Sequence, residues 1–261
     1  FHRQGKSDYY GLYPETTTKT DDAGNSLAGT RYNGSGSNWK TEHYIVSFFG
    51  RANYTLLNRY LFTATVRYDG SSRFKDHWAL FPSFAFGWRI KDESFLKDVD
   101  FLSELKLRLG YGQTGQQEGI GDYNYFASYN TNVTPDSYYP ILGNGILYRP
   151  NAYNADLSWE TTTTYNAGID FGILKGKLSG SIDYYYRKTT DLINTVYVSA
   201  GSNFRNQVTS NIGSLVNKGV ELALTYKPIS TKDWYWEITA NATYNSNEIT
   251  ELIGKEGYYV P

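Results

Sequence analysis

The sequence predicts an all-β fold, namely an antiparallel, up-and-down transmembrane β-barrel segment of about eight strands. Three observations predict it. Apolar and polar residues alternate strictly in eight segments, which is the period of a strand with two different faces. One face of these segments contains no charged residue, and the connections between them alternate between short and long.

Composition excludes several classes of protein. The 261 residues carry a net charge of −1 and include no cysteine, so disulfides and thiolate metal sites are excluded. A nucleic-acid binder usually has an excess of basic residues. This chain has a net charge near zero, so we expect no nucleic-acid partner. No apolar run reaches the roughly 18 residues of a membrane-spanning helix. Because the chain begins with Phe1 and no signal-like stretch follows, we expect a processed or partial chain.

The alternating segments have apolar residues at every second position. In the second segment, for example, Phe62, Ala64 and Val66 alternate with Thr63 and Thr65. A period of two over 7–13 residues indicates a strand with two chemically different faces. The predicted strands are 44–56, 60–68, 80–90, 105–111, 165–173, 178–186, 220–226 and 234–244.

The opposite face of the same strands carries the charges. Arginine or lysine at the lipid midplane of a barrel costs about 2–4 kcal/mol, so lipid would exclude charge from one face. A soluble sandwich would also keep charge from its inner face. We expect the charged face to line a lumen, either as an ion-paired wall that holds an internal plug or water, or in direct contact with substrate. The predicted lumen-facing residues are Arg51, Arg67, Asp69, Arg89, Arg108 and Glu237.

Aromatic residues and connection lengths favour a barrel over a soluble β-sandwich or propeller. Many of the 26 tyrosines lie near strand ends, where tyrosine and tryptophan form the girdles of membrane barrels. The short connections all fall at one end of an up-and-down meander, as expected for periplasmic turns. The short connections are 57–58, 92–103, 174–177 and 229–232, and the longer ones are 70–79, 112–164 and 187–219.

The domain organisation follows from this pattern. Residues 1–261 form one partial barrel domain, in which 1–43 is an external loop rich in Gly, Ser, Thr and Asn, and 44–248 holds the eight strands. Residues 249–261 begin the next external loop. Residues 92–103 are predicted to form a short helical turn on the periplasmic side.

The long loops are unusually aromatic. The rings either pack against each other or form a platform for sugar rings or peptide side chains, since flat aromatic faces bind both. The residues predicted to contact ligand or lid are Tyr123, Tyr125, Tyr138, Tyr139 and Trp159.

No catalytic or cofactor motif is convincing. The run Gly110-Tyr-Gly112-Gln-Thr-Gly115 matches a dinucleotide fingerprint, but a glycine-rich loop follows it instead of the helix that must hold the pyrophosphate. His2, His43 and His77 have no partner at metal-ligand spacing. We therefore predict neither an enzyme nor a bound cofactor or metal.

Several short sequence motifs, in their order along the chain, resemble those of the SusC/RagA-like TonB-dependent transporters of the Bacteroidetes outer membrane. The resemblance covers nearly the whole chain from about residue 44. It is carried by Tyr68-Asp-Gly-Ser-Ser-Arg-Phe74, Phe81-Pro-Ser83, Gly87-Trp88, Leu105-Lys-Leu-Arg108, Gly110-Tyr-Gly-Gln-Thr-Gly115, Asn154-Ala-Asp-Leu-Ser-Trp-Glu160 and Asn217-Lys-Gly-Val-Glu221.

The resemblance implies an arc of a larger, 22-stranded barrel with a plugged lumen. It also implies uptake of glycan or peptide cargo across the outer membrane of a Gram-negative, Bacteroidetes-like cell. The partners it implies are outer-membrane lipid, TonB (through N-terminal parts missing here) and a SusD-like surface lipoprotein as lid. The alternatives are a soluble all-β carbohydrate-binding or adhesion module, a passive porin, and a small closed eight-stranded barrel.

Overall fold

A computed structural model describes residues 2–20, 26–132, 147–198 and 207–252. Among these residues no helix is long and apolar enough to cross a membrane. The strands are β1 (His2–Thr20), β2 (Ser26–Leu56), β3 (Tyr60–Ser71), β4 (Trp78–Arg89), β5 (Leu102–Gln116), β6 (Tyr129–Asn132), β7 (Leu147–Pro150), β8 (Glu160–Ile173), β9 (Leu178–Thr190), β10 (Ile193–Tyr197), β11 (Gln207–Asn211), β12 (Ser214–Ser230) and β13 (Tyr235–Glu251).

Nine of these strands form one antiparallel sheet in the order β1-β2-β3-β4-β5-β8-β9-β12-β13. The hairpins β6–β7 and β10–β11 are separate two-stranded sheets inserted between neighbours. Within the described part of the chain β1 and β13 do not pair with each other, so the sheet is open. The prediction of an antiparallel arc is confirmed, and the closed eight-stranded barrel is not what the chain forms.

Strand register places all the apolar faces on the same side of the sheet. Ala52 pairs with Ala64, Ala64 with Phe84, Phe84 with Tyr111, and Tyr111 with Tyr165. Directly paired residues point to the same face, so the alternation in each strand produces one continuous apolar surface.

No other part of the described chain forms a layer over that apolar surface. Its residues are exposed to solvent: the exposed fraction is 63% for Phe48, 43% for Phe62 and 44% for Ile169. A soluble sandwich buries its apolar face against a second sheet about 10 Å away. Among residues 42–128, 151–198 and 207–252, whose side chains the structure describes, the buried hydrophobic residues are few: Phe74, Phe81, Ile120, Leu157, Trp159, Val196 and Val216.

The two ends of the sheet differ in their connections. The links 57–59, 90–101, 174–177 and 231–234 lie at one end, which we call the short-turn end, and all of them except 90–101 have at most four residues. The links 72–77, 117–159 and 191–213 lie at the other, the long-loop end, where 117–159 and 191–213 are long and 72–77 is shorter than 90–101. Leu57 and Asn58 have φ of 51° and 55°, as a type I′ hairpin turn requires. A 3₁₀ helix, Ile90–Asp92, precedes the segment 92–103 where a helical turn is predicted, and that segment itself forms hydrogen-bonded turns.

The predicted external loop 1–43 contains strand pairing. In its described residues β1 pairs with the first part of β2, a strand of 31 residues. This is about three times the 9–11 residues that cross a bilayer. Because the segment has no apolar alternation, its hairpin rests on backbone pairing that the sequence pattern does not signal. Its position outside the membrane stays a prediction.

Strands also reach further into the predicted long loops than the sequence pattern indicates. β5 continues to Gln116 and β8 begins at Glu160, while β9 continues to Thr190 and β12 begins at Ser214. At the C-terminal end β13 extends to Glu251, and residues 253–261 lie outside the described residues.

Candidate functional site

Arg108 is the centre of the charged face. Its guanidinium donates to Asp170 from Nε and Nη2 at 2.8–3.0 Å, and Nη2 also lies 2.9 Å from Oδ2 of Asp183. Lys106 Nζ lies 3.9 Å from Asp170. One arginine on β5 thus joins carboxylates of β8 and β9, with the short, directed geometry of charge-assisted hydrogen bonds.

Gly168 makes room for this ion-paired cluster. A Cβ at this position would lie 2.2 Å from Oδ1 of Asp183 and 2.9 Å from Nη2 of Arg108. The glycine is therefore required because the Arg108 side chain crosses β8 close to its backbone. Substituting Gly168 would disturb the cluster, although the alternation pattern alone predicts that a polar or charged residue there is tolerated.

A second group of charges lies nearer the long-loop end. Arg67 Nε contacts both carboxylate oxygens of Asp69 at 2.7 Å, and Asp69 is only 6% exposed. Arg73 Nε donates to Oδ1 of Asp122 at 2.9 Å. His43 Nδ1 lies 3.3 Å from the same oxygen. These contacts connect β2, β3 and two loops around a charged cavity of about 590 Å³, which Glu118 also lines.

The other predicted lumen residues lie apart from these clusters. Arg51 donates to Oδ1 of Asn53 at 3.3 Å. Arg89 pairs with Asp92 at 3.1 Å at the short-turn end. Glu237 pairs with Lys227 at 3.4 Å, not with one of the predicted arginines.

Two aromatic bands border the apolar surface. At the short-turn end Tyr60 stacks on Trp88 with ring centroids 6.2 Å apart. At the long-loop end Trp78 stacks on Tyr68 at 4.8 Å and on Phe48 at 5.9 Å. Ten residues separate Trp78 from Trp88 on β4, which is about 33 Å along the strand. At a barrel tilt of about 40° this gives roughly 25 Å, the height of the apolar band of a membrane barrel.

Glu93 attaches the link 90–101 to the aromatic band at the short-turn end. Oε1 accepts hydrogen bonds from Tyr60 Oη at 2.6 Å and Trp88 Nε1 at 3.0 Å, and Oε2 accepts one from Arg59 Nη1 at 2.7 Å. The carboxylate is almost fully buried. The hydrogen bonds from Tyr60 and Trp88 lower the pKa of Glu93 below its ordinary value because they favour the ionised form.

At the long-loop end a small hydrophobic core holds the loops to the sheet. Trp159 is 9% exposed, with its ring 4.8 Å from Phe74 and 5.6 Å from Phe81. Ile120 and Leu157 complete this cluster. Trp159 therefore packs the loops against the sheet and presents little surface, and its contact with ligand or lid stays a prediction.

The predicted contact tyrosines have different environments. Tyr123 is 48% exposed, and its hydroxyl accepts a hydrogen bond from the backbone N–H of Glu42 at 3.2 Å. Tyr125 is half-buried and meets His77 edge-on with centroids 6.4 Å apart. Tyr138 and Tyr139 lie outside the described residues.

Sequence reasoning missed a second cavity beside Tyr123. It has about 590 Å³ and lies between loop 117–159 and the β10–β11 hairpin. We call it the polar loop cavity. No motif signals it, because its side chains come from three separate segments of the chain. It is lined by Asp122, Tyr123, Asn124, Ser128, Asn151, Ala152, Thr195, Gln207, Val208 and Thr209.

Within the described ranges no group of three or more His, Asp or Glu side chains is arranged to hold a metal ion.

The described chain forms an open sheet with two different faces: an apolar face between two aromatic bands, and a charged face. Residues 2–261 match the family described as "TonB dependent receptor-like, beta-barrel". The chain belongs to this family.

Curated relatives and solved structures agree with the family assignment. The chain is 54% identical over 232 residues to "TonB-dependent receptor SusC" of Bacteroides thetaiotaomicron, covering 85% of this chain and 22% of that protein. It is 38% identical over 224 residues to "TonB-dependent receptor P39" of Formosa agariphila, covering 84% of this chain and 20% of that protein. The chain thus spans about a fifth of the curated relatives it matches.

Several solved structures share the fold of this chain. The RagAB peptide importer in its "open-open" state matches with a TM-score of 0.75 and 32% identity, and in its "closed-closed" state with 0.73 and 33%. Each match covers 87% of this chain and 24% of the matched chain. The siderophore receptor PirA from Pseudomonas aeruginosa, at 19% identity and a TM-score of 0.52 over 81% of this chain and 36% of that chain, shows the fold alone.

Proposed function

We propose that this chain is part of the wall of a TonB-dependent outer-membrane transporter that imports oligosaccharides or peptides. The observation that carries the proposal is the open nine-stranded sheet, whose apolar face is left uncovered by the other described residues and lies between two aromatic bands. The family match and the likeness to the RagAB peptide importer support it.

Each part of the structure has a role in this proposal. The apolar surface contacts outer-membrane lipid. The predicted lumen residues, with the Arg108 cluster among them, stiffen the wall and face a plug or ordered water. Tyr123, Tyr125, Tyr138 and Tyr139 contact cargo or a SusD-like surface lipoprotein that acts as a lid.

The work of transport is shared with the rest of the receptor. Coupling to TonB belongs to other segments, since this chain spans about a fifth of its curated relatives. We propose that the location is the outer membrane of a Gram-negative, Bacteroidetes-like cell and that the chain itself catalyses no reaction.

Uptake by cells that express the full-length receptor tests the proposal. Radiolabelled oligosaccharides and peptides are supplied, with and without an uncoupler of the proton gradient and with and without TonB. We expect uptake of one of these classes, and we expect it to stop when either TonB or the gradient is lost. Uptake that persists without the gradient would identify a passive porin and contradict the proposal.

A further inference from the structure

The polar loop cavity has a lining suited to a particular ligand chemistry. Its side chains are mainly amides and hydroxyls, together with one carboxylate and one tyrosine ring, and none of its described lining residues is lysine or arginine. The charged cavity on the sheet, by contrast, is lined by Arg67, Asp69, Arg73 and Glu118. The two cavities therefore differ in charge although they have similar volumes.

The charge of Asp122 is compensated from outside the polar loop cavity. Arg73, which does not line it, donates to Oδ1 of Asp122, and His43 lies against the same oxygen. Both of these contacts use Oδ1, so Oδ2 retains acceptor capacity. The cavity thus offers a strong acceptor without attracting a cation as an isolated carboxylate would.

Hydrogen bonds hold the walls of the cavity in place. Asn124 Nδ2 donates to Thr209 Oγ1 at 3.2 Å and joins loop 117–159 to β11. Asn151 Nδ2 donates to Ser128 Oγ at 3.1 Å, and the Asn151 backbone N–H donates to the Ser128 carbonyl at 2.9 Å. Walls that are fixed before a ligand arrives reduce the ordering cost of binding.

The polar groups and the ring face match a sugar. An amide carries both donors and acceptors, and a hydroxyl can do either, so each complements a sugar hydroxyl. Tyr123, with its hydroxyl bound to the Glu42 backbone, keeps its half-exposed ring beside these groups. Among the lining residues that the structure describes, a peptide with a negatively charged terminus or side chain would find no cation.

We propose that the polar loop cavity binds a neutral sugar residue of an oligosaccharide cargo, with Tyr123 as the ring platform and Gln207 and Asp122 as hydrogen-bonding groups. The inference rests on the proposed transport function and adds the class of cargo that this site selects.

Calorimetric titration of the full-length receptor, purified in detergent, tests the site. The probes are neutral hexasaccharides of α- and β-linked glucose and mannose, and tetrapeptides of positive, negative and zero net charge. We expect at least one neutral hexasaccharide to bind and the peptides not to compete with it. Failure of all the neutral hexasaccharides to bind, or displacement by a peptide, would overturn the proposal.

Variants locate the binding. Tyr123→Ala should weaken hexasaccharide binding about tenfold, the upper range for a lost aromatic contact, and Gln207→Ala should weaken it about tenfold, the upper range for a lost hydrogen bond. Tyr123→Phe keeps the ring and should bind within about threefold of the native receptor. The matched control is Phe126→Ala, because Phe126 is 61% exposed in the same loop and does not line the cavity.

The failures of the two proposals are distinguishable. If Tyr123→Ala and Gln207→Ala bind like Phe126→Ala while uptake still requires the proton gradient, the sugar site is wrong and the transport function stands. If uptake is independent of the gradient, the transport function is wrong whatever the titrations show.

Discussion

Arginine substitutions on the two faces of adjacent strands separate a membrane wall from other two-faced sheets. Ala64 lies on the apolar face of β3, four residues from each of the band residues Tyr60 and Tyr68. This distance is about 13 Å along the strand in either direction, near the middle of the apolar band. Ala85 lies on the opposite face of β4, one residue from Phe84, the partner of Ala64.

The expected difference is large. Ala64→Arg places a cation near the lipid midplane, at a cost of about 2–4 kcal/mol. Ala85 pairs with Thr63 and Gly110, neither of which is charged, so Ala85→Arg should cost less than about 0.5 kcal/mol, as for an ordinary surface substitution. At 1.4 kcal/mol per factor of ten, the two variants should differ in assembly equilibrium by at least about tenfold.

The assay is the fraction of full-length receptor recovered from outer membranes in the folded, heat-modifiable form. We expect Ala85→Arg near the native level and Ala64→Arg strongly depleted. Equal depletion of both variants, or greater depletion of Ala85→Arg, would refute the assignment of the apolar face to lipid.

Three further predictions concern individual contacts. Gly168→Val should break the contact between Arg108 and Asp183 and lower the melting temperature of the full receptor, whereas Gly50→Val, where a Cβ meets nothing within 4 Å, should not. Because the pKa of Glu93 is lowered in the folded state, its stabilisation is present above its unfolded pKa of about 4.3 and is lost as pH falls through the folded pKa. Native receptor should therefore lose more thermal stability than Glu93→Gln over that acid range, and equal losses would contradict the network. Trp159→Ala should remove about 3–5 kcal/mol of local packing and speed proteolysis of the long loops, while leaving the strands protected.

The sheet could be predicted from sequence because the alternation of residues within each strand determines it. In β3, period-two alternation from Tyr60 to Tyr68 sets both the strand and its facing, and the observed pairing preserves that facing. Residues 1–43 could not be predicted in the same way. Their hairpin depends on backbone hydrogen bonds between segments that show no alternation.

The sites were less predictable because they depend on distant contacts. Trp159 lies next to a loop in the sequence, and no local pattern indicates its burial by Phe74 and Phe81, which come from elsewhere in the chain. The polar loop cavity unites Asp122, Asn151 and Thr209, and amide and hydroxyl residues at such separations form no recognisable motif.

The central claim, a barrel wall with lipid on one side and a lumen on the other, is tested most directly by accessibility along one strand. Spin labels are placed singly at positions 61–67 of the full-length receptor in lipid vesicles. Relaxation by oxygen, which dissolves in lipid, is then compared with relaxation by a water-soluble nickel chelate. The account predicts an oxygen effect that is highest at Phe62, Ala64 and Val66 and a nickel effect that alternates out of phase with it. Oxygen and nickel effects that rise and fall together, or that show no period of two, would contradict it.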